Sequence, residues 1–207
     1  IAITGDSELT IGNVSASSLT SFDASALAGK LTATFGANKV TAKAATKDTK
    51  FIFAGNLDNN DTVVGGAGKD EETATFSGKT ATTGKLNISD VETLTLATGT
   101  NANTIDLSSV TGLTTLGVVG GVQTITGLDL GTTLLTTHAS AGVGATFKAT
   151  AADATGAADT LKVEAKNNAG VTTNVEIKDV ETLSIVVNDT DSTDDTTTQT
   201  FGLTKFE

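Results

Sequence analysis

Residues 56–73 combine glycines and acidic side chains in the pattern of a calcium-binding turn. Positions 65–70, Gly-Gly-Ala-Gly-Lys-Asp, fit the start of the nonapeptide Gly-Gly-x-Gly-x-Asp-x-U-x, a repeat in which U is apolar and which binds calcium in parallel β-helices. Nine residues before Asp70, Asp61 takes the same Asp position, and Val63 takes the apolar position after it. The predicted calcium ligands are Asp61, Gly65, Gly66, Gly68 and Asp70.

The chemistry of such a turn follows from its residue types. Glycines let the backbone bend at positive φ and expose carbonyl oxygens, and the Asp carboxylate completes the all-oxygen shell that Ca²⁺ prefers. The pattern is incomplete, because Glu72 stands at the apolar position of the second nonapeptide and the first nonapeptide has no glycines. The alternative is a plain Asx/Gly turn joining two strands, in which Asp58 and Asn60 cap backbone groups.

Other polar residues are weaker candidates for calcium. They are Asp58, Asn60, Asp159, Asp189 and Asp191. Asp159 aligns with Asp70 in a second copy of the pattern that has lost most of its glycines. Asp189 and Asp191 begin an acidic cluster that fails the EF-hand pattern, because Asp194 stands where the loop requires glycine. A solvated acidic loop is the alternative there.

No set of residues matches a catalytic site. Glu92 and Glu181 are equivalent positions of a repeated segment, which favours carboxylates that bond turn amides over the paired acids of a glycosidase. His138, the single histidine, has no Gly-x-Ser-x-Gly elbow to work with. Residues 117–121 are too short for a phosphate loop. The sequence therefore predicts a protein that is not an enzyme.

The composition excludes several other classes. The 207 residues include no Cys, so disulfides, thiolate nucleophiles and Cys-type zinc sites are impossible. A net charge of −11, the lack of Arg and the eight Phe as sole aromatic residues argue against a nucleic-acid surface. No apolar run approaches the roughly 20 residues that span a bilayer, so no transmembrane segment is expected.

Short apolar clusters predict strands throughout the chain. They alternate with Thr, Ser or Asp at a period of two residues, as in Leu94-Thr95-Leu96, and Gly or Asn separates one cluster from the next. The chain has 42 Thr, a β-branched residue that suits the solvated face of a strand. Residues 15–31 also have the apolar spacing of a turn or two of helix. The predicted class is all-β.

Two segments recur along the chain. Residues 86–96 match residues 175–185 at an offset of 89, and both contain Asp-Val-Glu-Thr-Leu. Residues 22–29 match residues 105–112 at an offset of 83, with Phe-Asp-Ala-Ser aligned to Ile-Asp-Leu-Ser. The order of these segments along the chain is A, B, A, B, which indicates two divergent copies of one larger unit.

The recurrence divides the chain into three parts. Repeat 1 covers residues 1–97 with the Gly-Asp turn at 56–73, repeat 2 covers residues 98–188, and residues 189–207 form an acidic, Thr-rich tail. We predict a β-solenoid, a stack of short-strand repeats in which each unit buries its apolar face on its neighbour. The alternative is two tandem immunoglobulin-like β-sandwiches, although the chain lacks the Trp and Tyr of that core.

With its motifs in this order, the chain resembles bacterial S-layer (surface-array) proteins of the RTX, type I-secreted kind, and related large repetitive secreted adhesins. The composition is similar too, being rich in Ala, Thr, Gly and Asp and free of Cys. The segments that carry the resemblance are residues 22–29, 65–70, 90–96, 105–112 and 179–185.

The resemblance implies a structural protein that folds outside the cell, at the bacterial surface. Such a chain is the lattice-forming part of an S-layer, with calcium supporting its folding or assembly. Its expected partners are further copies of itself in a surface array, and a cell-surface polysaccharide bound through other parts of the chain. A net charge of −11 fits this, because it keeps copies apart until cations bridge them. The alternative is a repeat, stalk or binding module of a secreted adhesin.

Overall fold

All regular secondary structure in the described part of the chain is β-strand. The structure, a computed structural model, describes residues 1–14, 18–36, 38–53, 57–75, 85–97, 103–119, 122–129, 132–138, 145–151, 160–167, 172–178, 182–189 and 200–203. The odd-numbered strands are β1 (Ala2–Gly5), β3 (Ser21–Leu27), β5 (Thr41–Lys43), β7 (Thr62–Val64), β9 (Asn87–Ser89), β11 (Asn103–Asp106), β13 (Val122–Leu128), β15 (Ala145–Ala151), β17 (Thr172–Lys178) and β19 (Thr200–Leu203). The even-numbered strands are β2 (Leu9–Val14), β4 (Leu31–Phe35), β6 (Thr49–Phe53), β8 (Asp70–Thr75), β10 (Thr93–Ala97), β12 (Thr115–Val119), β14 (Thr133–His138), β16 (Thr160–Asn167) and β18 (Thr182–Asp189).

The strands alternate between two walls. The even-numbered strands form one nine-stranded sheet in the order β18-β16-β14-β12-β10-β8-β6-β4-β2, which we call the even wall. The odd-numbered strands form the odd wall, in two five-stranded sheets, β1-β3-β5-β7-β9 and β11-β13-β15-β17-β19. All of these strand pairs are parallel. The fold is therefore a β-solenoid, as predicted, and the alternative of two antiparallel sandwiches is wrong.

The alternation of residues within each strand decides which side chains fill the space between the walls. In β4, Leu-Thr-Ala-Thr-Phe, and in β6, Thr-Lys-Phe-Ile-Phe, every second residue is buried and the intervening residues are partly exposed. Successive side chains of a strand point to opposite faces, so one face of each wall lines the core and the other meets solvent. Thr, Lys and Glu therefore occupy outer positions at little cost.

Four phenylalanines form an aromatic cluster in the core of the first turns. Phe35 stacks on Phe53 with ring centroids 4.8 Å apart, and it meets Phe22 edge to face at 5.3 Å. Phe51 lies 5.5 Å from Phe35 and 6.4 Å from Phe22. Because these rings come from both walls and from successive turns, the cluster joins β3, β4 and β6 into one packed unit.

The recurring segments occupy equivalent places in the stack. Residues 86–96 run from β9 through the connection into β10, and residues 175–185 run from β17 towards β18, four turns later. Residues 22–29 and residues 105–112 likewise begin in β3 and β11, again four turns apart. The even wall continues across residue 97, the predicted end of repeat 1, because β10 pairs with β12. In the odd wall, the two five-stranded sheets are joined by an isolated parallel bridge between Lys85 and Asp106.

Two expectations about particular segments have clear outcomes. No helix lies in the described part of residues 15–31, where Ser21–Leu27 is β3, so the helical interpretation of that spacing is wrong. Phe22, Ala24 and Leu27 of β3 are buried in the core instead. In the tail, β19 pairs with β17 and belongs to the odd wall.

Replacing Phe51 by Ala is expected to destabilise the fold by about 3–5 kcal/mol, because a ring that is fully enclosed leaves a cavity. Ile52→Ala is the matched control, since Ile52 is the next residue of β6 and points to the outer face. Its cost should be much smaller. Urea unfolding followed by circular dichroism measures both, and equal costs would contradict the assigned faces of β6.

Candidate functional site

Each turn of the solenoid has two corners, and the Gly-Asp segment spans both. We call the connections from an odd-numbered strand to the next even-numbered strand the Gly–Asp corner; in the first half of the stack they are residues 6–8, 28–30, 44–48, 65–69 and 90–92. The described residues that precede odd-numbered strands, such as 38–40 and 57–61, form the opposite corner. Asp61 lies in the opposite corner, before β7, and Asp70 follows the Gly–Asp corner as the first residue of β8.

Asp70 joins three consecutive turns through hydrogen bonds. Its Oδ1 accepts the N–H of Thr49, 21 residues earlier, at 2.9 Å, and its Oδ2 accepts the N–H of Gly66 in its own turn. Its own N–H donates to Oε2 of Glu92 in the following turn, at 2.6 Å. The side chain is almost fully buried. Both carboxylate oxygens therefore accept backbone N–H groups. They replace the carbonyl acceptors that these N–H groups lack where the corner interrupts the parallel ladder.

Asp61 makes the same arrangement at the opposite corner. Its Oδ1 accepts the N–H of Val40, 21 residues earlier, at 2.9 Å, and its Oδ2 accepts the N–H of Asp58 at 3.0 Å. Asp58 in turn accepts the N–H of Asn60 at 2.7 Å, which is an Asx turn. The nine-residue spacing of Asp61 and Asp70 thus corresponds to two equivalent caps, each bonded once to the preceding turn and once to its own.

The three glycines of the motif are required by the closeness of neighbouring turns. A Cβ on Gly66 would overlap the carbonyl oxygen of Ala45, and one on Gly68 would overlap the backbone of Asp48, both in the preceding turn. A Cβ on Gly65 would overlap the carbonyl of Asp90 in the following turn. None of the three has a positive φ, so the expectation that they bend the backbone at positive φ is wrong.

Among the described residues other than glycine, positive φ occurs at Asp90, which lies in a recurring segment but was not predicted to be a turn residue. Asp90 has φ 56°, in the left-handed region that Gly adopts most readily and that Asn and Asp adopt more often than other residues. The Asp90 backbone lies between Gly65 of the preceding turn and Gly112 of the following turn. A Cβ added to Gly112 would stand 2.9 Å from the Cα of Asp90. The first residue of the repeated Asp-Val-Glu-Thr-Leu is thus enclosed by two glycines, and its partner Asp179 lies outside the described residues.

Glu92, in the same repeated segment, is a structural residue, as its position in a repeat predicted. Its carboxylate accepts the N–H of Asp70, and its carbonyl accepts the N–H groups of Thr114 and Thr115, each at 2.9 Å. The hydroxyl of Thr114 also donates to this carbonyl, at 3.0 Å. Glu92 therefore links the turn before it to the turn after it.

The second recurring segment also has one local structure in both copies. The N–H of Ser25 donates to Oδ1 of Asp23 at 3.0 Å, and the N–H of Ser108 donates to Oδ1 of Asp106 at 2.9 Å. Each hydrogen bond has the pattern of an Asx turn, the first inside β3 and the second at the end of β11. The segment thus marks where the chain leaves the odd wall for the Gly–Asp corner.

Burial and hydrogen bonding have opposite effects on the pKa values of the carboxyl groups at the Gly–Asp corner. Burial raises the pKa of Asp70 above its usual value; the N–H groups of Gly66 and Thr49 oppose the rise, and the charges of Glu92 and Asp48 add to it.

Exposed carboxylates near the corners are shifted the other way. The pKa of Asp48 is lowered, first by the N–H of Lys69 and then by Lys30. The pKa values of Asp23 and Asp106 are lowered chiefly by the serine two residues later in each segment. Relative to the unfolded chain, folding therefore favours the charged form of Asp23, Asp48 and Asp106 and disfavours the charged form of Asp70.

The predicted calcium ligands do not all come together. Gly65, Gly66, Gly68 and Asp70 share one corner, while Asp61 lies beyond β7, at the opposite corner. Within the described residues no group of three or more Asp, Glu, His or Cys side chains is placed to hold a metal ion. The carboxylates fit the Asx/Gly turn, and calcium at this motif stays a prediction.

The remaining candidates lie in later turns or outside the described part of the chain. Asp189 is the last residue of β18, and His138 is the last residue of β14. Asp159, Glu181 and Asp191 belong to segments that the structure does not describe.

Charged side chains on the outer faces pair from one turn to the next. Lys50 meets Glu71 at 2.8 Å across β6 and β8, and Lys43 meets Asp23 at 3.6 Å across β5 and β3. A third pair, between Lys30 and Asp48 at 3.1 Å, borders a shallow charged groove of about 280 Å³ on the even wall. All three pairs are solvent-exposed, so they favour the correct register more than they stabilise the fold.

Substituting Gly66 by Ala is expected to destabilise the fold by at least about 1 kcal/mol, because the new methyl group must push apart two turns whose backbones are in contact. Gly12→Ala is the control, since no atom lies near its Cβ position, and it should be neutral or stabilising by about 0.4–1 kcal/mol. Urea unfolding of both variants measures the difference. A neutral Gly66→Ala would contradict the close stacking at this corner.

Lowering the pH from neutral is expected to make Asp70 contribute increasing stability, until the pH reaches the unfolded value near 3.8, because the folded chain binds this proton more tightly. Below that pH the lowered pKa values of Asp23, Asp48 and Asp106 act in the opposite sense. Urea unfolding at stepped pH should show wild type gaining stability relative to Asp70→Asn. The exposed Asp6→Asn is the control; it should track wild type, and a wild-type curve parallel to Asp70→Asn would refute the assignment.

The described residues contain no helix long and apolar enough to cross a membrane. Comparison of the chain with known protein families, with curated proteins and with solved structures finds no match.

Proposed function

We propose that this chain is a structural protein of a bacterial cell surface, the lattice-forming part of an S-layer whose folding or assembly calcium supports. It acts outside the cell and catalyses no reaction. Its principal partners are further copies of the same chain, and other parts of the chain attach to a cell-surface polysaccharide.

The observation that supports this proposal most is the use that the chain makes of its recurring residues. Asp61, Asp70 and Glu92 bond one turn to the next, and Gly65 and Gly66 permit the turns to approach. The motifs on which the resemblance rests are thus the parts that build the stack. A protein whose repeated residues serve to stack one turn on the next suits an architectural role.

Charge supplies the link to calcium. The chain carries −11 at neutral pH, and copies at this charge repel one another. Since the oxygens of Asp61 and Asp70 already accept backbone hydrogen bonds, exposed carboxylates such as Asp6 and Glu8 are the more accessible oxygen ligands. Calcium held between such groups on two copies would remove the repulsion and hold the copies together.

Adding calcium to the purified chain is expected to produce regular two-dimensional arrays in negative-stain electron microscopy, which EDTA disperses and magnesium does not produce. Thermal unfolding by circular dichroism, in calcium and in EDTA, is measured on the same samples. A folding-linked site would add about 2.7 kcal/mol at 100 times its dissociation constant, whereas bridging ions would leave a dilute monomer unchanged.

Asp61→Asn and Asp6→Asn locate the ion. Loss of the thermal shift in Asp61→Asn alone places the ion at the opposite corner, beside Asp61. Weaker arrays in Asp6→Asn place the ion between copies. The absence of arrays in calcium, together with glycan binding by the soluble monomer, would instead favour the binding module of an adhesin and overturn the lattice proposal.

A further inference from the structure

Four charged residues of alternating sign stand one above another where the Gly–Asp corner meets the even wall. They are Glu8, Lys30, Asp48 and Lys69, which immediately precede β2, β4, β6 and β8. The first residues of these four strands pair in register, so the residues before them occupy the same place in successive turns. All four are exposed. We call them the charged column.

The two outer charges of the column have no ion-pair partner in the described part of the chain. Lys30 and Asp48, the inner two, meet at 3.1 Å. None of the ion pairs among the described residues includes the side chain of Glu8 or of Lys69. The column therefore has an unpaired carboxylate at one end and an unpaired ammonium group at the other.

The surface around the column is electrically balanced, although the whole chain is acidic. The chain has 24 acidic residues against 13 lysines. The column forms one side of the shallow groove on the even wall, and the charged residues that line this groove are Lys30, Lys50, Lys69, Glu8, Asp48 and Glu71. Positive and negative charges are equal in number there, so two copies repel one another less at this surface than over the chain as a whole.

We propose that the charged column is a lateral contact between two copies of this chain, which lie antiparallel about a two-fold axis crossing the column between Lys30 and Asp48. This inference rests on the self-assembly in the proposed function and specifies one of its contacts. The axis reverses the order of the turns, so Glu8 faces the second copy's Lys69, and Lys30 faces the second copy's Asp48. The two charges that lack a partner within the chain thus receive one from the other copy.

The neighbouring row of outer residues agrees with this arrangement. It consists of Thr10, Thr32, Lys50 and Glu71, which are in register across β2, β4, β6 and β8. The same axis places Thr10 opposite Glu71 and Thr32 opposite Lys50, so no like charges face one another. Two parallel copies at the same height would instead place each charge of the column against itself. The antiparallel contact is isologous and closes after two copies.

Sedimentation equilibrium in EDTA at low ionic strength tests the contact separately from calcium, because lysines supply its positive charges. Wild type is expected to dimerise and to dissociate as NaCl is added, since salt screens exposed charges. Lys69→Glu should weaken dimerisation at least about tenfold, because it sets like charges face to face at two symmetric places. Lys39→Glu is the matched control. It changes the net charge equally at an exposed position of the opposite corner, so it should dimerise like wild type.

Mixing two variants separates contact between copies from effects within one copy. Glu8→Lys alone sets ammonium groups face to face and should weaken dimerisation as Lys69→Glu does. In an equimolar mixture of Glu8→Lys and Lys69→Glu, both outer contacts of a mixed dimer join opposite charges, so association should return to about the wild-type affinity. A residue that acts only within its own chain would show no recovery on mixing. Circular dichroism checks that both variants keep the fold.

A wild type that stays monomeric in EDTA at low ionic strength overturns the antiparallel contact, as does a mixture that associates no better than its two components. Equal weakening by Lys39→Glu and Lys69→Glu also overturns it, because net charge alone would then explain the effect. If calcium arrays still form in these cases, the proposed function stands and its contacts lie elsewhere. Dimers that recover on mixing, without any array in calcium, would support the contact and overturn the lattice.

Discussion

The spacing between neighbouring strands constrains every corner of this molecule. Parallel strands lie about 4.8 Å apart, and each turn of the solenoid must fit within that height at its corners as well as along its walls. Along a wall the backbone ladder satisfies its own polar groups, but at a corner the chain bends away and N–H groups such as that of Thr49 lose their partners. A buried carboxylate supplies the missing acceptor, and glycine keeps the neighbouring backbones close enough for it to reach. Gly66 and Asp70 occur together in residues 65–70 because one constraint requires both.

Sequence periodicity was sufficient for the class of fold, because alternation of apolar residues with Thr reports strand faces directly. The stacked arrangement followed from recurring segments. The length of one turn did not, since the recognisable copies, at offsets of 83 and 89 residues, are four turns apart and the intermediate turns have diverged. Around the Gly-Asp segment one turn is 21 residues long, since Val40 and Asp61, and likewise Thr49 and Asp70, are hydrogen-bonded across that spacing. The sequence singled out Asp61 and Asp70 as ligands of an ion, which stays a prediction. It did not predict their hydrogen bonds to the preceding turn, because a one-dimensional pattern does not show which backbone groups an oxygen will meet.

Carboxylates in this structure divide into two kinds with different energetic roles. Asp61 and Asp70 are buried and bonded to backbone N–H groups, so removing either would leave donors without acceptors in a region that excludes water. Those on the outer faces, such as Glu71, pair with lysines across one turn and are exposed. Such pairs are worth little in stability, but an opposite charge one turn away penalises a slipped register. The net charge of −11 is therefore a surface property that bears on association, while the corner carboxylates bear on folding.

Duplication in a solenoid of this kind is restricted by the alternation of its walls. An inserted segment preserves the stack only if it contains a whole number of turns. A single extra strand would place every later strand in the opposite wall from the one in which it packs now. Segments 83 and 89 residues apart both satisfy this rule, because each separation contains four strands of either wall, although the loops differ in length. Strand lengths differ as well, since β13 to β18 have six to eight residues each whereas β5, β7 and β9 have three. The strands keep their register, so the chain can lengthen by turns while its Gly–Asp corner remains aligned.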